Sequence, residues 1–300
     1  MLSLNKAIND LKELKEKEKL IIFVGSGMSV PPPSNLPTWD GFLNEFINFC
    51  RYLVKKYSKF HLDNQLTDKL LKAAEKSCSK YPIEVATVLR DKLLETPNRI
   101  RSNIKNEFKA WFVQLFGNKE PNKYHDFIVK CGFPYILTSN YDTLLEDAAV
   151  SAGKVYASVS YHESAFLAEV IYTNESSIIH IHGKYTDILI DNIVLTREDY
   201  FKIIKEKHRA LTFTMHTLLM RFSTLFVGYG ASDPHLEDLI EELATYFNFQ
   251  KEYEMPRNYL VLTKNKVDPI KDQYKKKIGT EIVVIDNYDE YDELFQKLCH

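Results

Sequence analysis

The sequence predicts an α/β protein with a mainly parallel, doubly wound sheet and a layer of helices inserted after the first strand. Seven short runs rich in aliphatic and aromatic residues have the length and composition of β-strands. Six of these runs follow residue 130, and helical stretches separate most of them. Short apolar strands that alternate with helices are typical of a parallel sheet covered on both faces.

The chain begins with a predicted amphipathic helix within residues 1–19. Leu4, Ile8, Leu11 and Leu14 recur at intervals of three or four among lysines and glutamates, so they form one apolar stripe. The first strand, LIIFV (20–24), comes directly after this helix.

Residues 39–130 are predicted to form the helical insertion. Four segments carry apolar residues at helical spacing, namely WDGFLNEFINFCRYLVKKY, LTDKLLKAAEKSC, IEVATVLRDKLLE and IRSNIKNEFKAWFVQLF. We expect Trp39 and the nearby phenylalanines to be core residues rather than a platform for stacking bases.

The other strands follow the insertion. They are predicted at PYILTS (134–139), KVYASV (154–159), SIIHIHG (177–183), TLFVGYG (224–230), NYLVLT (258–263) and EIVVID (281–286). A last helix, YDELFQKLCH, ends the sequence, and no linker or internal repeat interrupts it. We therefore expect residues 1–300 to form a single domain.

Composition argues against several classes of protein. A formal charge of -2 and a pI near 6.5 give no basic field for a phosphate backbone, so there is no strong case for nucleic-acid binding. No apolar run approaches the roughly 18 residues of a membrane span, and MLSLNKAIND lacks the apolar core of a signal peptide. We expect a cytoplasmic protein that binds no membrane.

The four cysteines give a further expectation. Cys50, Cys78, Cys131 and Cys299 lie far apart, without a C-x-x-C pair. This pattern predicts reduced thiols and argues against a structural zinc knuckle.

Ligands of open α/β sheets bind beyond the carboxyl ends of the strands, so the residues after each predicted strand are candidates for a site. After the first strand, Gly25 and Gly27 would let backbone N–H groups approach a pyrophosphate, and Ser26 or Ser29 would add a hydroxyl donor. Val30 breaks the G-x-G-x-x-G fingerprint. A tight turn that needs glycine is the alternative interpretation.

Thr138, Asn140 and Asp142 follow the next predicted strand and open a helix. Taken alone, these residues are explained by an N-cap at Ser139 or Asn140, with an acid near the helix start.

His180 and His182 lie two apart on a predicted strand, face the same side and precede Gly183. A metal pair would need a third ligand, and none lies at ligand spacing nearby. A histidine at a strand end is better placed as a general base, because its pKa lies near neutral pH.

The fourth place is GYGASDP, which follows another strand. Asp233 and Pro234 fit the N-cap and N1 positions of a helix. That cap does not explain Gly228 and Gly230 on either side of Tyr229, which suit a backbone pressed close to a ligand.

Together, the order and spacing of these motifs resemble the sirtuin-like NAD-consuming family. The shared motifs are G-[AS]-G-x-S (25–29), L-P-x-W (36–39), T-x-N-x-D (138–142), H-G (182–183), VLTREDY (194–200) and G-Y-[GS]-x-x-D-P (228–234). The chain looks closest to the prokaryotic branch of anti-phage defence, which includes the Thoeris effector, the defence-associated sirtuins and sirtuin subunits paired with HerA-type ATPases. The resemblance implies a Rossmann-like fold.

Two departures separate the chain from deacylating sirtuins. Their four-cysteine zinc module is missing, and the helical insertion stands in its region. Their P-D-F-R stretch after the glycine loop reads PTWDGF here. Both departures favour plain NAD cleavage over protein deacylation.

The resemblance also implies NAD-binding residues. Gly25, Ser26 and Gly27 would cradle the pyrophosphate, and the prolines after them would form a flexible cover over the nicotinamide end. The adenosine half would approach Gly228, Tyr229 and Gly230, and the site would also include Ser29, Thr138 and Gly183.

Three residues would carry the chemistry. Asn140 would sit at the nicotinamide ribose and help place the attacking water, Asp142 would bind the carboxamide, and His182 would act on the ribose or the water. Cleavage passes through an oxocarbenium-like state, so it needs a positioned water and polar groups that steady the ribose. No metal is required.

The implied function is hydrolysis of NAD to nicotinamide and ADP-ribose in anti-phage defence by NAD depletion. One alternative is an NAD-dependent protein deacylase or ADP-ribosyltransferase, and another is a non-catalytic subunit that senses NAD or ADP-ribose. Thr196 and Asp199 in VLTREDY form a capping-box pattern, to which we assign no chemistry.

Unrestrained NAD cleavage would kill the host cell, so we expect control through assembly. The candidate partners are further copies of this chain in a homo-oligomer, or a separate subunit such as a HerA-type ATPase or a phage-derived trigger. The first helix and the insertion are the candidate surfaces.

Overall fold

A computed structural model describes residues 1–187, 193–203, 209–230, 233–247 and 256–299. Within these residues a single eight-stranded sheet forms the centre of the fold, and all of its strands are parallel. The strands are β1 (Leu2–Ser3), β2 (Leu20–Val24), β3 (Tyr135–Thr138), β4 (Ala157–Ser160), β5 (Ser177–His180), β6 (Ser223–Val227), β7 (Asn258–Thr263) and β8 (Thr280–Ile285). The prediction of a parallel α/β sheet is confirmed.

The strand order is β1-β8-β7-β6-β2-β3-β5-β4. From β2 the chain forms β3 beside it, then β4 at the edge of the sheet, and returns to form β5 between β3 and β4. It then crosses to β6 on the other side of β2. The crevice at which a doubly wound sheet binds its ligand therefore lies between the carboxyl ends of β2 and β6.

The helices described are α1 (Leu4–Glu16), α2 (Trp39–Lys56), α3 (Asp68–Ser77), α4 (Pro82–Leu94), α5 (Asn98–Phe116), α6 (Lys123–Cys131), α7 (Leu144–Ser151), α8 (Ser164–Thr173), α9 (Arg197–Phe201), α10 (Arg209–Arg221), α11 (Pro234–Phe247), α12 (Pro269–Lys277) and α13 (Glu290–Cys299). Among them, none is both long and apolar enough to cross a membrane.

The central strand shows why the sheet is covered on both faces. Every residue of β2 is buried, and its side chains alternate between two cores. Ile22 and Val24 pack with α1, α6 and α13 on one face, whereas Ile21 and Phe23 pack with α8, α10 and α11 on the other. A strand buried on both faces reads as a continuous apolar run, as LIIFV does.

The predicted strands all occur, and most of them have shifted ends. The HIHG segment was predicted as strand to Gly183, but β5 ends at His180. The sheet also contains β1, which pairs with Val283 and Val284 of β8 and lies inside the segment predicted as a helix. A strand of two residues is too short to show a hydrophobic period, so the sequence could not predict it. Only its pairing with β8 at the sheet edge defines it as a strand.

Helices α2 to α5 share a core of their own, rich in aromatic side chains. Phe42, Phe46 and Phe49 are buried in it, with Phe108 and Phe112 from α5 in ring contact. The prediction that Trp39 and its neighbours are core residues is confirmed, since Trp39 packs on this cluster and stacks on Phe42. Helix α6 instead packs against α7 and α13 beside the sheet.

One prediction about the cysteines is wrong. Cys131 and Cys299 form a disulfide that joins α6 to α13, whereas four reduced thiols were expected. The two residues are 168 positions apart, and sequence spacing does not reveal which distant segments meet. Cys50 and Cys78 are free and buried.

Candidate active site

Four loops leave the sheet from a single row of residues. Val227, Val24, Thr138 and His180 are aligned in register across β6, β2, β3 and β5. Because neighbouring strands lie about 4.8 Å apart, the segments after these four residues begin side by side at one edge of the sheet. The four places selected from the sequence therefore converge.

The loops after β2 and β6 press directly on each other. A Cβ at Gly25 would lie 2.5 Å from the carbonyl oxygen of Gly228, and a Cβ at Gly27 would lie 2.9 Å from the Cα of Gly228. Gly228 has a φ of +61°, and a Cβ there would lie 2.7 Å from the backbone nitrogen of Met28. These glycines are thus required by the contact between two backbones at the crevice.

The amides of the two glycines in the first loop are used inside the protein. Gly25 and Gly27 donate to the carbonyls of Val227 and Gly228, each at 2.9 Å. By contrast, the amide of Ser26 has no acceptor among the described residues. The glycines therefore provide close approach of the two backbones, and the N–H of Ser26 is left for a ligand.

Ser29 is the centre of a buried hydrogen-bond network. Its Oγ lies 3.1 Å from Nε2 of His125, 3.2 Å from Nδ2 of Asn140 and 3.0 Å from Oδ2 of Asp142. All four side chains are buried. The structure thus brings together three predicted site residues, with Ser29 as their link.

The protons of this network follow from its partners. The backbone amide of Asn122 donates to Nδ1 of His125, so the ring proton is on Nε2, which donates to Ser29. Asn140 also donates to Ser29, and the Ser29 hydroxyl donates to Asp142. Burial lowers the pKa of His125 to about 4, which keeps this imidazole neutral.

Asp142 is held in an apolar setting. Oδ1 accepts from the amide of Leu144 and Oδ2 from Ser29, but burial outweighs both bonds and raises the pKa of Asp142 to about 6. Both oxygens are already hydrogen-bonded, and each keeps a further lone pair for a ligand.

Asn140 has one polar atom without a partner. Its Nδ2 donates to Ser29, and its backbone amide donates to the Thr138 hydroxyl at 3.0 Å. Its Oδ1 is buried with no hydrogen-bond partner among the described residues. A buried orphan acceptor is costly. A hydroxyl group or water that donates to Oδ1 would satisfy it.

Thr138, the last residue of β3, supports the loop that contains Asn140. It is fully buried, and its Oγ1 donates to the carbonyl of Val24 at 2.9 Å while it accepts from the amide of Asn140. Thr138 therefore links β2 to the loop that contains Asn140 and fixes the position of that loop relative to the sheet.

His182 is paired with an acid. Its Nε2 lies 2.7 Å from Oδ2 of Asp233, and both side chains are buried. The ring of Tyr200 packs edge-on against the His182 ring, and the Tyr200 hydroxyl donates to Asp233 at 3.3 Å. With Nε2 against a carboxylate, Nδ1 is the nitrogen left to exchange a proton with a ligand.

Asp233 caps α11 and also pairs with His182. Its Oδ1 accepts from the amide of Leu236, which is the helix cap expected from the sequence. Burial alone would raise its pKa, but the His182 imidazole and the Leu236 amide outweigh burial and hold the pKa below its usual value. The ionised Asp233 thus also faces the imidazole.

Residues 134–283, half of the chain, match the family model described as SIR2-like domain. The chain belongs to this family. The matched segment contains the loops after β3, β5 and β6, while the Gly25–Ser29 turn lies before it. The predicted sirtuin-like identity is therefore confirmed at the level of the family.

The SIR2-like chain is similar to Defense-associated sirtuin 2 of Bacillus subtilis. The two are 24% identical over 243 residues, which cover 79% of this chain and 20% of that protein. This chain thus spans one fifth of the length of its relative.

Other predicted residues of the SIR2-like site differ in their exposure. Gly183 has a φ of +79°, and Gly230 is exposed. The ring of Tyr229 packs on Phe23 and Phe226, and its hydroxyl accepts from the amide of Asp233 at 2.9 Å. The assignment of these residues to the adenosine half stays a prediction.

The proline segment after the first loop is tied to the chain before α6. Nδ2 of Asn122 donates to the carbonyls of Met28 and Pro31, and the hydroxyl of Ser34 donates to the carbonyl of Glu120. The role of this segment as a flexible cover stays a prediction.

The two histidines of HIHG have different partners. His180 contacts Glu146 and the carbonyl of Asn140, whereas His182 contacts Asp233. Across the described ranges, no group of three His, Cys, Asp or Glu side chains is arranged to hold a metal ion.

The capping box predicted for VLTREDY is confirmed. Thr196 and Asp199 exchange both bonds at the start of α9. Arg90 of α4 also binds both of these side chains, so this segment anchors the helical layer to the sheet.

Sequence reasoning missed two functional contacts of the SIR2-like site. His125 was not singled out, although the N-x-x-H spacing of a capping box is present in NKYH, where Asn122 and His125 form that box. Asp233 was assigned to capping alone. Neither residue's second contact is visible from spacing, because Ser29 and His182 are far away in the chain.

Proposed function

We propose that this SIR2-like chain hydrolyses the nicotinamide N-glycosidic bond of NAD and releases nicotinamide and ADP-ribose. One observation supports the proposal most strongly. At one edge of the sheet, a glycine-lined crevice lies beside the Asn140–Ser29–Asp142 network and the His182–Asp233 pair. A dinucleotide binds at such a topological switch point in doubly wound sheets.

The crevice suits the phosphates. The backbones of Gly25, Gly27 and Gly228 approach without side chains between them, and the amide of Ser26 is available. Amides at such a turn bind anions. We therefore propose that the pyrophosphate binds over the loops after β2 and β6.

The nicotinamide ribose is placed at Asn140. Its Oδ1 needs a donor, which a ribose hydroxyl or the attacking water supplies. Its Nδ2 is held by Ser29, so the direction of Oδ1 is set before the substrate binds. Preorganised polar groups of this kind lower the barrier because they need no rearrangement in the transition state.

His182 is the general base of the proposal. The bond between C1′ and the nicotinamide nitrogen breaks, its electron pair stays with the nitrogen, and nicotinamide leaves as a neutral molecule. Water adds to C1′ and its proton passes to Nδ1 of His182. Asp233 stabilises the imidazolium that forms, since its carboxylate lies 2.7 Å from Nε2.

Asp142 is proposed to bind the carboxamide of nicotinamide. Its carboxyl is fixed from two sides by Leu144 and Ser29, so it can orient a planar amide. Holding this amide at an angle to the ribose favours departure of the leaving group.

The similarity to Defense-associated sirtuin 2 supports a role in defence, and we propose that this role is anti-phage defence by NAD depletion. Such an effector needs restraint before infection. We propose that self-association or a separate subunit, such as a HerA-type ATPase or a phage-derived trigger, provides this restraint.

The test is chromatographic. Purified protein is incubated with NAD without any peptide, and nicotinamide, ADP-ribose and cyclic ADP-ribose are quantified. We expect Asn140→Ala and His182→Ala to lower nicotinamide release by on the order of 10²-fold, as loss of an orienting group or a general base does.

Two variants serve as controls. Asn44→Ala replaces an exposed asparagine on α2, and His216→Ala replaces a histidine paired with Glu242 on α11; both should hydrolyse NAD at the wild-type rate. Nicotinamide release that requires an acylated peptide would indicate a deacylase instead. Tight binding of ADP-ribose without any nicotinamide, alike in wild type and His182→Ala, would indicate a sensor.

A further inference from the structure

A buried ion pair lies behind the Asn140 loop and takes no part in the reaction proposed above. His180 ends β5 and is fully buried, with Nε2 2.7 Å from Oε1 of Glu146 on α7. Its Nδ1 lies 3.1 Å from the backbone carbonyl oxygen of Asn140. The pair therefore connects the sheet, α7 and the candidate catalytic loop.

The partners of His180 determine its protons. A carbonyl oxygen only accepts hydrogen bonds, so Nδ1 must carry a proton that it donates to Asn140. Nε2 faces a carboxylate, so it also donates. Both ring nitrogens are protonated, and His180 is an imidazolium.

The surroundings agree with this charge. Glu146 accepts a second bond from the Ser158 hydroxyl, and Nζ of Lys184 donates to Ser158. The charged or titratable groups that act on His180 are Glu146, Lys184 and Asp142. Burial lowers the pKa of His180, but the adjacent Glu146 outweighs burial and raises it, while the pKa of Glu146 falls to about 2 despite its own burial.

We propose that His180 is a positioning residue for Asn140, a role that rests on the NAD hydrolysis proposed above. Asn140 lies in a segment that belongs to neither β3 nor α7, so no regular ladder fixes its backbone. Its amide is held by Thr138 and its carbonyl by His180. The two peptide groups that flank Asn140 are thus pinned, and with them the direction of its side chain.

The two ring nitrogens can be tested separately. In an asparagine at position 180, the amide nitrogen stands where Nδ1 stood and can still donate to the Asn140 carbonyl. In a glutamine, the amide nitrogen stands near the former Nε2 and the bond to Asn140 is lost. Both changes are made together with Glu146→Gln, so that no buried carboxylate is left without its cation.

Expected kinetics separate positioning from folding. His180→Gln/Glu146→Gln should have a kcat for NAD at least ~10-fold below that of His180→Asn/Glu146→Gln, because a displacement of about 1 Å at a positioned group lowers the rate by up to 10²-fold. The dissociation constants of the two variants for ADP-ribose should agree. His216→Gln, which alters another His–Glu pair, should retain the wild-type kcat. Equal kcat values for the two double variants would overturn the proposal.

A second readout needs no substrate. The amide of Tyr141 shares a peptide unit with the carbonyl of Asn140, so its ¹H–¹⁵N resonance should shift strongly in the glutamine variant and little in the asparagine variant. In wild-type protein, Nδ1 of His180 should carry a proton. A His180 whose Nδ1 carries no proton, or an unchanged Tyr141 resonance, would refute the positioning role, whereas absence of nicotinamide from wild type would refute only the proposed hydrolysis.

Discussion

The contact between the two glycine loops gives the sharpest prediction about stability. Gly228→Ala introduces a methyl group at a residue with a φ of +61°, and this Cβ would lie 2.7 Å from the backbone nitrogen of Met28. Ordinary contact begins at 3.4 Å, so the loops must separate by about 0.7 Å. The nearest atom belongs to the backbone, so no change of side-chain rotamer relieves this overpacking.

A second glycine with a positive φ serves as a control, because alanine there causes backbone strain without a steric clash. Gly132 ends α6 with a φ of +71°, and a Cβ there meets nothing within 4 Å. Gly132→Ala should therefore lower the unfolding free energy by about 1–2 kcal/mol, which is the cost of an alanine in the left-handed conformation. Gly228→Ala adds about 1–3 kcal/mol for overpacking, so it should lower the unfolding free energy by roughly 2–5 kcal/mol.

The assay is urea unfolding followed by tryptophan fluorescence and circular dichroism, with the dissociation constant of ADP-ribose measured for each variant. Separation of the loops should weaken ADP-ribose binding in Gly228→Ala and leave it unchanged in Gly132→Ala. Equal losses of stability in the two variants, or wild-type affinity in Gly228→Ala, would show that the crevice is not built on backbone contact.

Two further predictions concern buried carboxyl groups. The folded protein holds the Asp142 proton more tightly than the unfolded chain, because its pKa is raised to about 6; the stability that this group contributes should therefore fall as pH rises from about 4 to about 6. Urea unfolding across this range should show that decline in wild type relative to Asp142→Asn, and parallel curves would contradict it. Asp233→Asn keeps an N-cap of similar strength on α11 but removes the charge beside His182, so kcat for NAD should fall by on the order of 10²-fold. Wild-type turnover in this variant would remove Asp233 from the mechanism.

Sequence patterns predicted the strands well because each central strand is apolar on both faces. LIIFV and NYLVLT could be recognised from composition alone, and both occur at the predicted residues. Patterns also located the four loops, since the carboxyl ends of parallel strands necessarily lie at one edge. What they could not supply was the contact between Gly25 and Gly228, which depends on two loops being neighbours in space.

The partners of the site residues were beyond sequence reasoning for the same reason. Ser29 was considered as a phosphate ligand, yet its hydroxyl is buried and joins His125 to Asp142. His180 was grouped with His182, yet β5 ends between them and their side chains have separate partners. A side chain's neighbours across the fold are set by tertiary packing, which local spacing does not encode.

The residues proposed for chemistry lie in a loop that three parts of the fold hold independently. His180 fixes the carbonyl of Asn140 from the sheet, and Ser29 fixes the side chains of Asn140 and Asp142 from the first loop. Between them, the ring of Tyr141 is buried in the core of the helical layer, 5.1 Å from the ring of Phe112. Because Asn140 and Asp142 are its immediate neighbours, a displacement of α5 would be transmitted to both through this one ring. The helical layer thus supports the site directly, which gives it a physical role in a SIR2-like chain whose sequence contains no four-cysteine module.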